Sequence, residues 1–352
     1  MAEISLCMIV KDEEELLGRC LDSVKALVDE IIIVDTGSKD KTKQIAANYT
    51  DKIYDFEWIY DFAAARNFSF SKATAQYQMW LDADDIVAAS EHEKFLNLKE
   101  DLSKGDVDMA MLRYNVNFDN EDRPITSYFR ERLFKREMNY RWGGAIHEGI
   151  TPRGKVKNFD ISIEHRKLKP GDPFRNIDIF ERLLDKGSLS ARDKFYYARE
   201  LMFHHRLEEA AEWFRAFLEE KHGWNEDKIQ ACLDLYECYP NDEQKAVTSV
   251  LNAFYYDRPR AEGCCKMGHF FANKGEYKAA AFWYESALTS NISERKGFVL
   301  NDCYDFIPYI ELCVCYDRLG EREKALYYHK KSKELKPRDK SVIFNDKYFS
   351  NS

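Results

Sequence analysis

Short apolar runs alternate with amphipathic stretches through the first 85 residues, and this alternation limits the possible folds more than any other feature. Each apolar run has the length of a buried strand, and each stretch between them spaces its apolar residues three and four apart, as helices do. The apolar runs are Ile4–Val10, Glu30–Asp35, Ile53–Phe56 and Met79–Leu81; the helical stretches are 13–27, 42–49 and 63–75. The alternation predicts a doubly wound, mostly parallel α/β sheet, which binds its ligand at the carboxyl ends of the strands.

The fourth apolar run is followed by three acidic residues, Asp82, Asp84 and Asp85. Three carboxylates this close repel one another unless a cation lies between them, and Mg²⁺ or Mn²⁺ prefers oxygen ligands. A magnesium ion held by carboxylates usually keeps positions open for the phosphates of a substrate. The segment alone also fits an acidic turn without a ligand, so its interpretation depends on the sequence around it.

Composition and missing motifs exclude several classes of protein. A net charge of −9 and a pI near 5.6 argue against a nucleic-acid partner, which requires a clustered positive field. The nine cysteines have no paired CxxC spacing, which disfavours a zinc site or a disulfide framework. The chain contains neither GxGxxG nor GxxxxGK[ST], which disfavours a dinucleotide dehydrogenase or a P-loop NTPase. No apolar run approaches the roughly 18 residues of a transmembrane segment, and no signal peptide is visible, so we expect a soluble, cytoplasmic protein.

Four motifs follow one another in the first part of the chain. They are Met8–Glu14 (MIVKDEE), Ile32–Thr42 (IIVDTGSKDKT), Ala65–Asn67 (ARN) and Trp80–Asp85 (WLDADD). In this order and at this spacing they resemble the family-2 glycosyltransferases of GT-A fold. The branch that the chain most resembles includes lipopolysaccharide-core glucosyltransferases and bacteriocin peptide glycosyltransferases that carry a helical-repeat tail.

The resemblance implies a role for each motif. Asp35 would accept a hydrogen bond from the uracil N3 of a UDP-sugar donor, and Asp84 would bind the Mg²⁺ or Mn²⁺ that bridges the diphosphate. The other residues implied in donor binding are Val10, Lys11, Glu13, Arg66, Asp82 and Ala83. The residues themselves leave alternatives open: Asp35 fits an Asx turn or a cap, Arg66 fits a solvent-exposed helix position, and Lys11 and Glu13 fit a charged first helical turn.

A glycine-containing segment, Tyr140–Glu148, follows two predicted strands. Paired glycines permit close approach of the backbone to a ligand. In the resembled family the carboxylate after such a loop is the base that deprotonates the acceptor, which implies Glu148 as the catalytic residue, with His147 as its rival. A His–Glu pair that only orients the loop remains the alternative.

Two further positions are predicted to contribute to the site. We expect residues 161–166 to form an edge strand that ends in His165, which the resemblance implies as a further contact to the metal or the diphosphate. Arg130 and Arg132 lie two apart in a predicted strand. They either flank the diphosphate or form surface ion pairs.

Strand patterns end near residue 166, and helical periodicity continues to the end of the chain. We predict a GT-A domain at 1–166, a linker and connecting helix at 167–189, and a helical repeat domain at 190–345. Small residues recur in similar contexts at Ala210, Ala280 and Ala325, with a weaker copy at Ala246. A period near 34 resembles tetratricopeptide repeats, whose units bury their apolar faces only by stacking.

The combined prediction is a metal-dependent, inverting glycosyltransferase. It would move a hexose of the glucose or N-acetylhexosamine type from a UDP-sugar to a hydroxyl or thiol, on a peptide or protein bound with the help of the repeats. The repeats could also mediate a homodimer. The alternatives are a saccharide acceptor in cell-envelope polysaccharide synthesis, a nucleotidyltransferase and a non-catalytic repeat scaffold.

Overall fold

The structure, a computed structural model, describes residues 1–118, 122, 124–168, 172–187, 189–291 and 299–350. The chain divides into two compact units, Met1–Lys186 and Gly187–Ser352. Residues 169–171 and 188, which belong to the predicted linker, lie outside the described ranges. The helix predicted to connect the domains ends at Lys186, and it is therefore part of the first unit.

An eight-stranded sheet forms the centre of the first unit, in the order β3-β2-β1-β4-β7-β6-β8-β5. Strands β1 to β4 are mutually parallel, whereas β7 runs antiparallel to both β4 and β6. The strands are β1 (Ile4–Val10), β2 (Glu30–Asp35), β3 (Ile53–Asp55), β4 (Tyr77–Trp80), β5 (Asp85–Ile86), β6 (Met109–Phe118), β7 (Pro124–Lys135) and β8 (Val156–His165). The predicted α/β class is confirmed, but the sheet is mixed rather than mostly parallel because a long hairpin continues it beyond β4.

Helices cover both faces of this sheet. Successive side chains of a strand point to opposite faces, so a single strand contributes to the core on each side. On one face, Leu6 and Met8 of β1 pack in the same core as the buried sides of α1 and α4. On the other face, Cys7 of β1 and Trp80 of β4 pack with α3. The helices of the first unit are α1 (Leu17–Val24), α2 (Thr42–Ala46), α3 (Phe62–Lys72), α4 (His92–Ser103) and α5 (Arg175–Lys186).

The first helix is shorter than the predicted stretch 13–27, because the residues before it form a loop. The main-chain N–H of Asp12 donates to Ser38 Oγ at 2.9 Å, and that of Glu13 donates to Thr42 Oγ1 at 2.7 Å. These bonds satisfy backbone donors without a helical turn. The loops after β1 and β2 are thereby fastened to each other.

The sequence predicts an edge strand that ends in His165. In the structure, β8 is not at the edge of the sheet where it ends in His165. The short strand β5 pairs with β8 on the outer side, with Asp85 opposite His165 and Ile86 opposite Glu164. The acidic turn and His165 are therefore neighbours because of strand pairing.

The second unit consists of helices that pack in consecutive pairs, and its all-α prediction is confirmed. The first helices of the pairs begin at residues 191, 225, 261 and 306, so two intervals are close to 34 and the third contains an insertion. Ala210, Ala246, Ala280 and Ala325, the residues that revealed the repeat, are all buried in second helices. The helices are α6 (Ala191–Phe203), α7 (Leu207–Leu218), α8 (Asn225–Cys238), α9 (Glu243–Ala253), α10 (Ala261–Asn273), α11 (Tyr277–Leu288), α12 (Phe306–Arg318), α13 (Arg322–Leu335) and α14 (Lys340–Ser350).

Packing inside the pairs is close. A Cβ added to Gly268 of α10 would lie 2.7 Å from the ring of Tyr284 in α11, which is 1% exposed. All nine cysteines are buried, as small core residues are expected to be. None of the helices in the described ranges combines the length and the apolar character that a membrane crossing needs.

Candidate active site

Asp35 lies at the carboxyl end of β2, directly opposite Val10 at the end of β1. Its Oδ1 accepts hydrogen bonds from the main-chain N–H groups of Gly37 and Ser38, both at 2.9 Å, so the Asx-turn interpretation is correct for one oxygen. Its Oδ2 is buried and has no hydrogen-bond partner among the described residues. A buried acceptor without a partner is costly, and an N–H group of a bound nucleobase would satisfy it.

The other residues predicted for the nucleotide differ in exposure and in hydrogen bonding. The Val10 carbonyl accepts from both the main-chain N–H and the hydroxyl of Thr36, at 2.9 and 3.1 Å, so its two lone pairs are occupied. A nucleotide-sugar donor that binds here would therefore have to contact other groups of this loop. Lys11 is exposed, Glu13 is half-buried, and Ala83, in the acidic turn, is buried.

Arg66 occupies the centre of the site, and its interpretation as a solvent-exposed helix residue is wrong. It is 6% exposed. Its Nε donates to Glu148 Oε1 at 2.6 Å and its Nη2 to Asp82 Oδ1 at 2.8 Å. The guanidinium carbon also lies 4.6 and 5.0 Å from the ring centroids of Trp80 and Trp142. The side chain therefore joins the predicted base to the acidic turn.

The charge of Arg66 favours ionisation of its partner Asp82. Burial opposes ionisation of the Asp82 carboxyl, but the attraction of Arg66 outweighs it and lowers the pKa of Asp82 to about 2. Burial likewise opposes the charged form of Arg66, yet Asp82 and Glu148 together raise the pKa of Arg66 above its usual value. Asp82 and Arg66 are therefore both charged at neutral pH.

The glycine-containing loop places Glu148 beside Arg66. Gly143 and Gly149 exchange two main-chain hydrogen bonds, at 3.0 and 3.1 Å, which close the loop between them. Gly144 has a φ of +90°, a conformation that glycine adopts without strain. The Asn67 side chain binds both main-chain groups of Trp142, donating to its carbonyl and accepting from its N–H, and so fastens the loop to α3.

His147 turns away from this cluster. Its ring stacks on Phe180 of α5, with 6.2 Å between centroids and 26° between planes. The carboxylate of Glu148 is instead directed toward Arg66. Of the two candidates for the base, the geometry brings only Glu148 to the centre of the site.

Asp85 is fully buried, and its charge is neutralised by Arg132. Arg132 Nη1 donates to Asp85 Oδ2 at 2.9 Å, and the Tyr114 hydroxyl donates to Oδ1 at 2.8 Å. Arg132 is itself 0% exposed, so it forms neither a surface ion pair nor a flank of the diphosphate. Arg66 and Arg132 already compensate the charges of Asp82 and Asp85. The closeness of the three acidic residues therefore does not by itself require a metal, contrary to the expectation from the sequence.

Within the described ranges, neither Asp84 nor His165 forms an ion pair with an arginine. His165 Nδ1 lies 3.3 Å from Asp84 Oδ1 and 3.4 Å from Asp85 Oδ1, and one ligand atom from each residue falls within 4.8 Å of the others. Burial lowers the pKa of His165, but its contacts with Asp84 and Asp85 outweigh burial and raise that pKa to about 10. Carboxylate oxygens and an imidazole nitrogen at this spacing fit a divalent cation.

Arg130 lies at the rim of the site. Its guanidinium carbon is 4.9 Å from the centroid of Trp80, and Nη2 lies 3.4 Å from the main-chain oxygen of Glu148. The two arginines predicted together thus have different surroundings, since Arg132 is enclosed and the Arg130 side chain keeps 28% exposure.

Several residues of the site had no assigned role in the sequence, although some left a signal. Asn67 completes the ARN motif. Trp80 belongs to the WLDADD motif, but the contacts of Trp80, Trp142 and Tyr114 with the arginines arise only in the folded sheet.

Comparisons with known proteins match the first part of the chain to glycosyltransferases. The family model described as glycosyl transferase family 2 matches residues 5–154. A TPR repeat-containing protein of Synechococcus elongatus is 39% identical over 149 residues, which cover 42% of this chain and 35% of that protein. The glycosyltransferase SunS of Bacillus phage SPbeta is 24% identical over 64% of this chain and 55% of its own length. The lipopolysaccharide core biosynthesis glycosyltransferase LpsC of Rhizobium meliloti is 27% identical over 44% and 59%.

The chain spans between about a third and three fifths of the length of these relatives. Among solved structures, S. aureus TarS 1-349 in complex with UDP-GlcNAc aligns over 96% of this chain and 93% of its own, with 10% identity and a TM-score of 0.39. A structural match at that level carries no argument about function.

Proposed function

We propose that the glycosyl transferase family 2 domain at residues 5–154, completed by His165, transfers a hexose from a UDP-sugar to a hydroxyl or thiol with inversion at the anomeric carbon. The observation that carries the proposal is the Asp84–His165 pair, 3.3 Å apart. Asp84 lies in the turn between β4 and β5, and His165 ends β8. In the same sheet, β2 ends in Asp35, whose buried Oδ2 has no hydrogen-bond partner among the described residues. A nucleoside diphosphate needs a cation for its phosphates and a hydrogen-bond acceptor for its base. The residues proposed for both lie on one sheet.

In this proposal the donor is held from two directions. Asp35 Oδ2 accepts the uracil N3–H, while Asp84 and His165 hold Mg²⁺ or Mn²⁺. Negative charge develops on the leaving diphosphate, and the cation supplies the electrostatic stabilisation for it. Arg130, at the rim beside Trp80, adds a further positive charge. Asp82 contacts the ribose or the sugar with the oxygen that Arg66 leaves available.

Glu148 acts as the base in this scheme. Arg66 binds its Oε1, which orients the carboxylate, and Oε2 takes the proton from the acceptor as the acceptor oxygen or sulfur attacks the anomeric carbon. The bond to the diphosphate breaks on the opposite face, so a single displacement inverts the configuration. His147, packed on Phe180, supports the loop that carries Glu148.

The acceptor is proposed to be a peptide or protein side chain that binds with help from the helical repeats. The proposed location of the reaction is the cytoplasm. The repeats are also the proposed homodimer surface. A saccharide acceptor is the second candidate, because one relative bears a name that refers to lipopolysaccharide core biosynthesis.

UDP release tests the proposed function. The full chain is incubated with a panel of UDP-sugars and Mn²⁺ or Mg²⁺, with and without candidate peptide and saccharide acceptors, beside an Asp84→Asn variant. We expect release that requires both the metal and Asp84. Pyrophosphate release from nucleoside triphosphates, with no turnover of UDP-sugars, would instead identify a nucleotidyltransferase.

A further inference from the structure

The ion pair of Arg132 and Asp85 lies next to the proposed metal ligands but has no part in the proposed reaction. The guanidinium carbon of Arg132 lies between two rings, 3.9 Å from the centroid of Trp80 and 4.3 Å from that of Tyr114. A planar cation stacked between two rings has a fixed orientation. The direction of its hydrogen bonds is therefore fixed as well.

Asp85 is held from two strands at once. From β7, Arg132 Nη1 donates to Oδ2 at 2.9 Å and to the main-chain oxygen of Trp80 at 3.3 Å. From β6, the Tyr114 hydroxyl donates to Oδ1 at 2.8 Å. Both carboxylate oxygens are thus engaged, which makes Asp85 an anchor of the acidic turn more than a ligand.

The anchor is connected to both proposed metal ligands through the main chain. Asp85 Oδ2 also accepts from the main-chain N–H of Asp82 at 3.1 Å, and the Asp85 N–H donates to the Asp82 carbonyl at 3.0 Å, which closes the turn that contains Asp84. Across the sheet, Asp85 is paired with His165, and the Arg166 N–H donates to the Asp84 carbonyl at 2.8 Å. A shift of Asp85 would change the distance between Asp84 and His165.

We propose that Arg132 and Tyr114 are positioning residues of the metal site, which fix Asp85 and through it the spacing of Asp84 and His165. The inference rests on the proposed function, because it takes these two residues as the holders of Mg²⁺ or Mn²⁺. Arg132 and Tyr114 touch neither the cation nor the nucleotide. They set the affinity of the chain for the cation and leave the nucleobase site unchanged.

Mn²⁺ titration of the full chain, followed by the electron paramagnetic resonance of the free ion, measures this affinity without turnover. Loss of an outer-shell partner typically weakens metal binding about 10- to 100-fold. We expect that range for Arg132→Met, a smaller loss of about three- to tenfold for Tyr114→Phe, and an intermediate one for Arg132→Lys, which keeps the charge but not the stacked plane.

Two controls separate positioning from general damage. Arg113→Met, on the same strand as Tyr114, removes an exposed ion pair with Asp160 and should leave Mn²⁺ binding unchanged. Binding of uridine in EDTA reports on the nucleobase site alone, and every variant should match the wild type there.

The outcomes distinguish this inference from the proposed function. Mn²⁺ binding that is absent from the wild type, or that survives Asp84→Asn, contradicts the metal part of the proposed function. The positioning inference alone is overturned if the wild type binds Mn²⁺ through Asp84 but Tyr114→Phe and Arg132→Lys bind Mn²⁺ as tightly as the wild type does. Should Arg132→Met fail to fold, Tyr114→Phe, which removes a single hydroxyl, decides the result.

Discussion

Replacing Arg66 by methionine should destabilise the first unit strongly, because it leaves two carboxylates without their shared cation. Glu148 is bound at 2.6 Å with its side chain 10% exposed, and Asp82 at 2.8 Å with 36% exposed. Removing one partner of a buried ion pair costs about 3–5 kcal/mol. The pKa of Asp82, lowered from 3.8 to about 2, corresponds to at most about 2 kcal/mol, which solvent screening of this partly exposed group reduces to about 1 kcal/mol. We expect a total loss of about 4 kcal/mol at neutral pH.

The loss should depend on pH in a defined direction. In the wild type the contribution of Asp82 is complete above its unfolded pKa, near 3.8, and disappears as the pH falls toward 2. In Arg66→Met the cation that lowers this pKa most is gone, and only Arg132 and Arg130 still act against burial, so the pKa of Asp82 should rise above its unfolded value. The penalty is then largest above that raised pKa and shrinks as the pH falls through it. The difference between the two proteins should therefore be smaller at pH 4.5 than at pH 7.5.

Urea unfolding followed by circular dichroism and tryptophan fluorescence, at both pH values, measures this difference. Arg113→Met removes a cation from the exposed ion pair that joins β6 to β8 and should be indistinguishable from wild type. The triple variant Arg66→Met, Asp82→Asn, Glu148→Gln removes all three charges and should recover most of the stability. A single variant within about 1 kcal/mol of wild type at pH 7.5, or a triple variant no more stable than the single, would refute the ion-pair reasoning.

Three further predictions concern the donor site, the base and the repeats. Asp35→Asn turns an N–H toward the uracil N3–H, and calorimetry should show UDP binding weakened about 10- to 100-fold; unchanged affinity would move the nucleobase elsewhere. Glu148→Gln should lower kcat about 10²- to 10⁴-fold while UDP-sugar binding stays close to wild type, and full activity would show that the base is another residue. Gly268→Ala should destabilise the repeat unit by about 1–2 kcal/mol in thermal unfolding because the added Cβ meets Tyr284. Gly263→Ala, in the same helix, adds a Cβ with ordinary contacts and should be neutral or stabilising. Equal effects of the two substitutions would contradict the packing argument.

The sequence predicts the parts of this protein that depend on local pattern. The strands up to Trp80 follow from short apolar runs, and the acidic turn follows from the three acidic residues after the fourth run. The helical pairs of the second unit follow from periodicities of 3.6 and about 34 residues. The repeat was visible because Ala210, Ala280 and Ala325 each need a small side chain at a helix contact, and all three are 0% exposed.

Contacts between distant residues were not predictable in the same way. Arg66 meets Glu148 across 82 positions of sequence, and His165 meets Asp85 only because β5 pairs with β8. Neither the register of a two-residue strand nor the burial of Arg132 is encoded in a local pattern. The helix at 13–27 was overestimated for a related reason, since side chains from another loop bind the backbone of Asp12 and Glu13.

The central claim is that Asp84 and His165 hold a cation that binds the diphosphate of a nucleotide. Calorimetric titration of UDP and of uridine, each in Mn²⁺ and in EDTA, tests it on the wild type and on Asp84→Asn. The account predicts that Mn²⁺ strengthens UDP binding at least about tenfold, leaves uridine binding unchanged, and loses its effect in Asp84→Asn. Equal UDP affinity in Mn²⁺ and EDTA, or the same Mn²⁺ enhancement in Asp84→Asn, would contradict it.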